Sequence, residues 1–275
     1  MTREHYWPQW FGQLNLKSTP KHGHWTSSPD DNGDLRTKES IRPGDPETAT
    51  LKRVCEKCNN GWMSAIQAEA KPLLTELIAG KWPSGLGKSD QRTIAQWATM
   101  FTMVVEWVDA PTVAISQQQR TDFMKTRRPP ADFRIWIGRH IPGGVHHKGW
   151  YHAAMVAYPP REEMPSQANV QSTVLAVDRL LIYTMSAQSD YEVGAGTKGP
   201  ITINTLEFSD WLQAGLKHLW PISHKHLSEP ERPLDDRDYE TLATLLHDLN
   251  NSERRSFGFV GAPRIALEKF LQTRY

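Results

Sequence analysis

Two short segments hold the residue types in this chain that could do chemistry. The first is Glu4-His5, set in Arg3-Glu4-His5-Tyr6-Trp7-Pro8-Gln9-Trp10. The second is Cys55-Glu56-Lys57-Cys58-Asn59, running on into Asn60-Gly61-Trp62-Met63. A histidine titrates close to neutrality, so His5 can draw a proton from water as a general base. A carboxylate and an amide carbonyl are hard oxygen donors that suit a divalent cation such as Mg²⁺ or Mn²⁺. Glu4 and Asn59 are the candidates for that role. On a strand, neighbouring side chains point to opposite faces, so Glu4 and His5 serve one site only if the chain bends beside them. Pro8, three residues past His5, fits such a bend. Cys55 and Cys58 are the only two cysteines. They are too close for an ordinary stabilising disulfide and read as half a metal site or as a redox pair. An acid-His pair near a terminus is by itself a surface pair; the later knuckle is what gives it meaning.

Taken together the two segments resemble the HNH nucleases. Residues 3–10 look like the acid-His-x-x-Pro stretch that ends the first strand of that ββα-metal fold, and residues 54–63 look like the Cys-x-x-Cys-Asn knuckle that opens its helix. A group of bacterial and phage HNH proteins carries a similar Cys-x-x-Cys-Asn-Asn-Gly-Trp-Met segment, and the likeness extends through Ala70-Lys71-Pro72-Leu73. The resemblance implies a metal-dependent endonuclease acting on double-stranded DNA. Carried over residue by residue, His5 is the general base, and Glu4 and Asn59 hold one catalytic Mg²⁺ or Mn²⁺. Cys55 and Cys58 would belong to a structural zinc site that is incomplete here. Two positions depart from the pattern. Many HNH proteins place an Asn five residues before the first knuckle Cys, to orient the base; this chain has Thr50 there. Relatives also carry another Cys-x-x-Cys ahead of the acid-His pair, whereas only four residues precede His5. The expectation is either a coding start farther upstream or incomplete zinc ligation, since tetrahedral zinc takes four ligands. His22 and His24 could complete the set, although loop histidines are more often solvated. The rival class is a catalytically silent protein that binds nucleic acid or protein through a degenerate finger. Thr50, the absent Cys pair and the near-neutral charge favour it.

Those residues must be positioned by a soluble α+β protein. At 275 residues and 23% charged, the chain can bury a substantial core. Its longest apolar stretch, Phe101 to Val108, is well short of the ~20 residues of a membrane span, and the polar N-terminus has no export signal. The expected location is the cytoplasm, with no membrane partner. A net charge of +1 means that attraction for DNA must come from local patches. The densest basic run, Lys125, Arg127, Arg128, Arg134 and Arg139, suits phosphate contacts, and equally suits a solvated sheet edge.

Composition divides the chain into an HNH-like ββα-metal module over 1–80 and an α+β domain over 81–275 that selects substrate or contacts a protein. Lys17 to Glu47 reads as a long loop, with at most a short strand around Asp34 to Ser40 and a turn at Pro29 to Asp34. Apolar residues at helical spacing predict a helix from Asn60 to Ala79, kinked or divided at Pro72. A second helix follows Ser89, with Ile94, Trp97, Ala98, Phe101, Val104, Val105 and Val108 on its apolar face. A third runs from Ser116 to Thr126. Phe133 to Ile137, Trp150 to Tyr158, Val170 to Ala176 and Leu180 to Ser186 are β-rich runs that form a small antiparallel sheet. Tyr239, Leu242, Leu245, Leu246 and Leu249 share one helical face, and a last helix is expected from Pro263 to Thr273. Trp97, Phe101, Val104, Trp136, Leu245 and Leu249 should be mostly buried. The 11 tryptophans are most economically core residues. His140, His146, His147 and His152 flank a Gly-Gly hairpin and read as exposed loop residues rather than a second metal site.

Overall fold

The computed structural model of the chain describes residues 2–14, 16, 21–29, 35–43, 48–143, 148–157, 168–187, 193–194, 200–201, 210–252 and 257–261. It begins with β1 (Thr2–His5), a 3-10 turn at Gln9–Gln13, β2 (Lys21–Pro29), β3 (Leu35–Pro43) and β4 (Thr50–Val54). A single turn α1 (Glu56–Cys58) and a wide π-type turn at Asn59–Met63 lead into α2 (Ser64–Ile78). Then come β5 (Leu86–Gly87), α3 (Lys88–Val105) and α4 (Gln117–Thr126). The sheet strands are β6 (Arg134–Arg139), β7 (Lys148–Ala157), β8 (Val170–Val177) and β9 (Leu180–Ala187). The short strands β10 (Val193–Gly194) and β11 (Pro200–Ile201) follow. The chain then forms α5 (Asp210–Gly215), β12 (Leu216–Trp220), β13 (His226–Leu227), α6 (Asp236–Ser252) and β14 (Phe257–Gly261).

The main sheet is antiparallel throughout, in the order β12-β6-β9-β8-β7-β14. Its side chains alternate between two cores, as the period of two demands. Ile135, Ile137, Leu175, Val177, Leu180 and Ile182 face the cluster built on α2 and α3. Trp136, Val174, Ala176, Leu181, Tyr183 and Met185 face a second cluster that includes Tyr239, Leu242 and Leu246 of α6. Burial on both faces explains why these strands read as nearly continuous apolar runs. The first cluster also takes in Tyr6, Trp7, Trp10 and Phe11, so the segment after His5 shares its core with α3. Trp7 meets Phe101 at 6.1 Å between ring centroids, Phe11 meets Trp97 at 6.1 Å, and Trp97 stacks on Phe101 at 5.4 Å. Gln67 ties this aromatic group to α2: its one amide oxygen accepts from the indoles of both Trp10 (3.0 Å) and Trp97 (2.9 Å). That oxygen fixes the 3-10 turn relative to both helices, and so fixes where β1 ends.

Four sequence expectations change. The loop over 17–47 holds the hairpin β2–β3, paired from Lys21↔Pro43 to Pro29↔Leu35. The turn signal of the sequence lies largely outside the described residues, and the two strands have too few apolar residues for an alternation to stand out. Helix α2 continues through Pro72, which lies exposed, so the lost backbone donor falls on the solvent side. His140 and His152 are buried rather than solvated. His140 Nδ1 donates to the Asp178 carbonyl (2.8 Å) and its Nε2 faces Asp236 at 3.3 Å, joining the β8–β9 turn to the start of α6. Leu245 is only half-buried. Trp97, Phe101, Val104 and Trp136 are buried as expected. The side chain of Leu249, His146, His147 and the helix expected over 263–273 lie outside the described residues.

His152 gives a pH signature. Its Nε2 donates to the Thr112 carbonyl (3.1 Å), and its Nδ1 lies 2.8 Å from the Thr173 hydroxyl. Burial pushes its pKa down from 6.5 to about 4, outweighing the Thr112 carbonyl, which acts the other way. Below 6.5 the unfolded chain therefore binds a proton that the folded chain refuses down to about 4. Stability is complete above that window and falls as pH drops through it, by up to roughly 3 kcal/mol. The thermal midpoint of His152→Gln should fall less steeply than that of the wild type between about pH 7 and about pH 4.5. Parallel curves would contradict this account.

Candidate functional site

Strands β1 and β4 form a small antiparallel ladder in which Glu4 opposes Leu51 and His5 opposes Thr50. The register shifts between Thr2 and Glu4, and an irregularity of this kind re-aims the side chain beside it. Glu4 is thereby carried to the start of the knuckle helix, where the Asn59 side chain hydrogen-bonds its carboxyl group. Two residues 55 positions apart in sequence thus meet. Burial raises the Glu4 pKa from 4.5 to about 7, with the Asn59 bond working against the rise. Among the described residues no ion pair relieves this carboxyl group.

His5 ends β1. The directly opposed residue of an antiparallel pair shares its face at about 5 Å between Cβ atoms. The Thr50 side chain thus shares a face with His5. The Gln9 amide donates to His5 Nε2 at 3.2 Å, which leaves the ring proton on Nδ1 and the imidazole neutral. Burial lowers the His5 pKa from 6.5, which favours the same neutral form. Gln9 opens the 3-10 turn that follows Pro8.

The fit of a divalent cation can be judged from these donors. Glu4 supplies a carboxylate that has no cationic partner among the described residues, and Asn59 keeps its carbonyl oxygen after its N–H groups turn to Glu4. Among the described residues no group of three or more His, Cys, Asp and Glu gathers to cage a metal. One carboxylate and one amide fit an ion that keeps most of its shell as water and phosphate oxygens, as Mg²⁺ does. Cation affinity should then depend on pH with a definite sign. Below a pKa of about 7 binding must displace the Glu4 proton. The association constant for Mn²⁺ should rise about tenfold per pH unit up to neutrality and flatten above it. Calorimetric titration across that range checks this, and a constant affinity would refute it.

The knuckle cysteines do not complete a zinc site from the described residues. Cys55 caps the first turn, with its Sγ 2.7 Å from Cys58 Sγ and accepting from the Cys58 N–H at 3.1 Å. Those two contacts, the thiol first, hold the Cys55 pKa below its usual value, while Cys55 and burial hold that of Cys58 above it. No further ligand joins them among the described residues, and the side chains of His22 and His24 lie outside that set.

The basic run divides. Arg134 and Arg139 stand at opposite ends of β6, roughly 17 Å apart. Arg134 Nη1 donates to the carbonyls of Ala131 and Phe133, and Arg139 pairs with Glu229 at 2.7 Å. Lys125 and Arg128 are exposed. Arg127 ends α4 in the left-handed conformation at φ 57°, which turns its guanidinium over the Trp62 ring at 4.7 Å. Phe123 meets the same indole edge-on at 5.7 Å. Helix α4 is thus docked on the knuckle three residues beyond Asn59.

Sequence reading missed the support behind β4. Glu106, fully buried, forms an ion pair with Arg120 and accepts from the N–H groups of Ala114 (2.9 Å) and Ile115 (3.2 Å). Arg120 also donates to Met103 O (2.7 Å) and lies over the Trp107 ring, whose centroid is 4.8 Å from the Arg53 guanidinium of β4. Nothing in the spacing of these residues marked them; only the burial of a charged residue at the end of an apolar helix could have. No protein-family model, curated protein or solved structure matches the chain.

Proposed function

We propose that the chain is a cation-dependent endonuclease of the HNH type that hydrolyses phosphodiester bonds of DNA. The observation that carries the reading is the hydrogen bond that joins Glu4 to Asn59, with His5 the next residue along β1. Phosphodiester hydrolysis needs a base for water and compensation of charge on the phosphate and leaving oxygen. His5, unprotonated and accepting through Nε2, is the base. Gln9 occupies that nitrogen in the free protein, and an attacking water takes its place when substrate binds. Thr50 opposes His5 across the β1–β4 pair and shares its face. A divalent cation, when bound, supplies the charge compensation. Glu4 and Asn59 are the residues that hold it, with duplex DNA as the expected substrate. Helix α4, anchored through Arg127 on Trp62, brings positive charge to the same neighbourhood.

The test is nicking of supercoiled plasmid in Mg²⁺ or Mn²⁺, with EDTA as control. Glu4→Gln should remove the cation-dependent activity while leaving the thermal midpoint equal or higher, because it replaces a carboxyl group that is costly to ionise. Wild-type activity that survives in both EDTA and Glu4→Gln would overturn the assignment.

A further inference from the structure

Next to the knuckle lies a cleft of ≈ 530 Å³ that no step above uses. One wall is a stripe on α3, where Lys88, Arg92 and Gln96 recur at intervals of four and so share a face opposite Trp97 and Phe101. The second wall is the end of α4, which contributes Arg127 and Arg128. The third is apolar: Trp220, Pro221 and Ile222, leaving the edge strand β12. Four cations line the cleft and no carboxylate does. Among the described residues Lys88, Arg92, Arg127 and Arg128 form no ion pair with an acid, and Arg127 Nη1 is buried without a hydrogen-bond partner. Neighbouring cations elsewhere are paired, as Lys81 with Glu76 and Lys217 with Glu231 show. Concentrated, uncompensated positive charge in a concave site focuses potential on an anion. The apolar wall, with Pro221 exposed and Ile222 half-buried, adds a surface against which a flat ring can lie.

We infer that this cleft seats one unpaired nucleotide of a single-stranded nucleic-acid segment. Arg92 and Arg128 take the phosphates on either side, and the base lies against Pro221 and Ile222. A duplex presents phosphates equally well but keeps its bases stacked, so the apolar wall distinguishes the two. Arg127 belongs to both places, touching the cleft and covering Trp62 of the knuckle, so a strand held here runs toward Glu4 and Asn59. The inference rests on the nucleic-acid reading above and narrows its substrate to DNA with an unpaired stretch beside the cut.

Fluorescence anisotropy in EDTA tests it without any hydrolysis, using a labelled twelve-nucleotide oligo-dT and a blunt duplex of equal length. The wild type should bind oligo-dT more tightly than the duplex. Arg92→Ala/Arg128→Ala, both at exposed positions, should weaken oligo-dT binding at least about tenfold. It should also reduce the slope of log K against log salt by about 1.4. Ile222→Ser should diminish the preference for oligo-dT and leave that slope unchanged. An unchanged slope in the double variant, or equal wild-type affinity for the two probes, overturns the proposal. The two readings fail separately. A chain that binds in this way and never cleaves keeps the cleft and loses the nuclease. A chain that cleaves with an unaltered salt slope in the double variant keeps the nuclease and loses the cleft.

Discussion

Glu106→Gln is expected to destabilise the fold by about 3–5 kcal/mol, a large part of the stability of an ordinary domain. The carboxylate is fully buried and meets Arg120 and two backbone N–H groups at once. A carboxamide has a single acceptor oxygen. It cannot satisfy both backbone donors and the guanidinium, and Arg120 is left charged in a place where burial already lowers its pKa to about 10. Removing one partner of a buried pair costs more than the pair contributes, because the survivor keeps its desolvation penalty. The double replacement Glu106→Gln/Arg120→Met should therefore recover part of the loss. Urea titration reads the effect as a lower midpoint at constant m-value. A shift of less than about 1 kcal/mol would mean that water reaches the pair and that it does not brace β4.

The second large effect concerns rate. His5→Ala should lower cleavage by about 10²–10⁴-fold, the range that a positioned base contributes. The fold should hold, because the His5 side chain is half-exposed and its described partner is the exposed Gln9. The pH profile carries a further signature. Burial lowers the His5 pKa, so the base remains unprotonated somewhat below its usual range. Glu4, at about 7 before any cation binds, must lose its proton. Activity at limiting Mg²⁺ should therefore rise through neutrality because of Glu4, and saturating Mg²⁺ should move that rise to lower pH.

Much of this framework is legible in the residues. The helical faces through Trp97 and Phe101 and through Tyr239 and Leu242, and the four β-rich runs, follow from periodicity, because burial imposes it. The candidate site is legible only as residue types, Glu4, His5 and Asn59; the contact of Glu4 with Asn59 is not. What the chain does not display is pairing at long range. The opposition of His5 and Thr50 depends on the β1–β4 register, and the capture of Trp10 and Trp97 by one Gln67 oxygen depends on how three elements pack. The hairpin β2–β3 escaped because polar strands show no alternation. The cleft cations Lys88 and Arg92 sit on the polar side of α3, where no periodicity distinguishes them from other solvated charges. Their partners Arg127 and Arg128 come from another element, so no window of sequence contains the patch.

Nicking of supercoiled plasmid by equal amounts of wild type and His5→Ala, at saturating Mg²⁺ or Mn²⁺ and with matched thermal midpoints, tests the central claim most directly. The account expects open-circular product from the wild type, none in EDTA, and a rate at least about 10²-fold lower from His5→Ala. Equal rates from the two proteins would remove His5 from the chemistry. A wild type that binds the plasmid and never opens it would make the chain a silent binding protein instead.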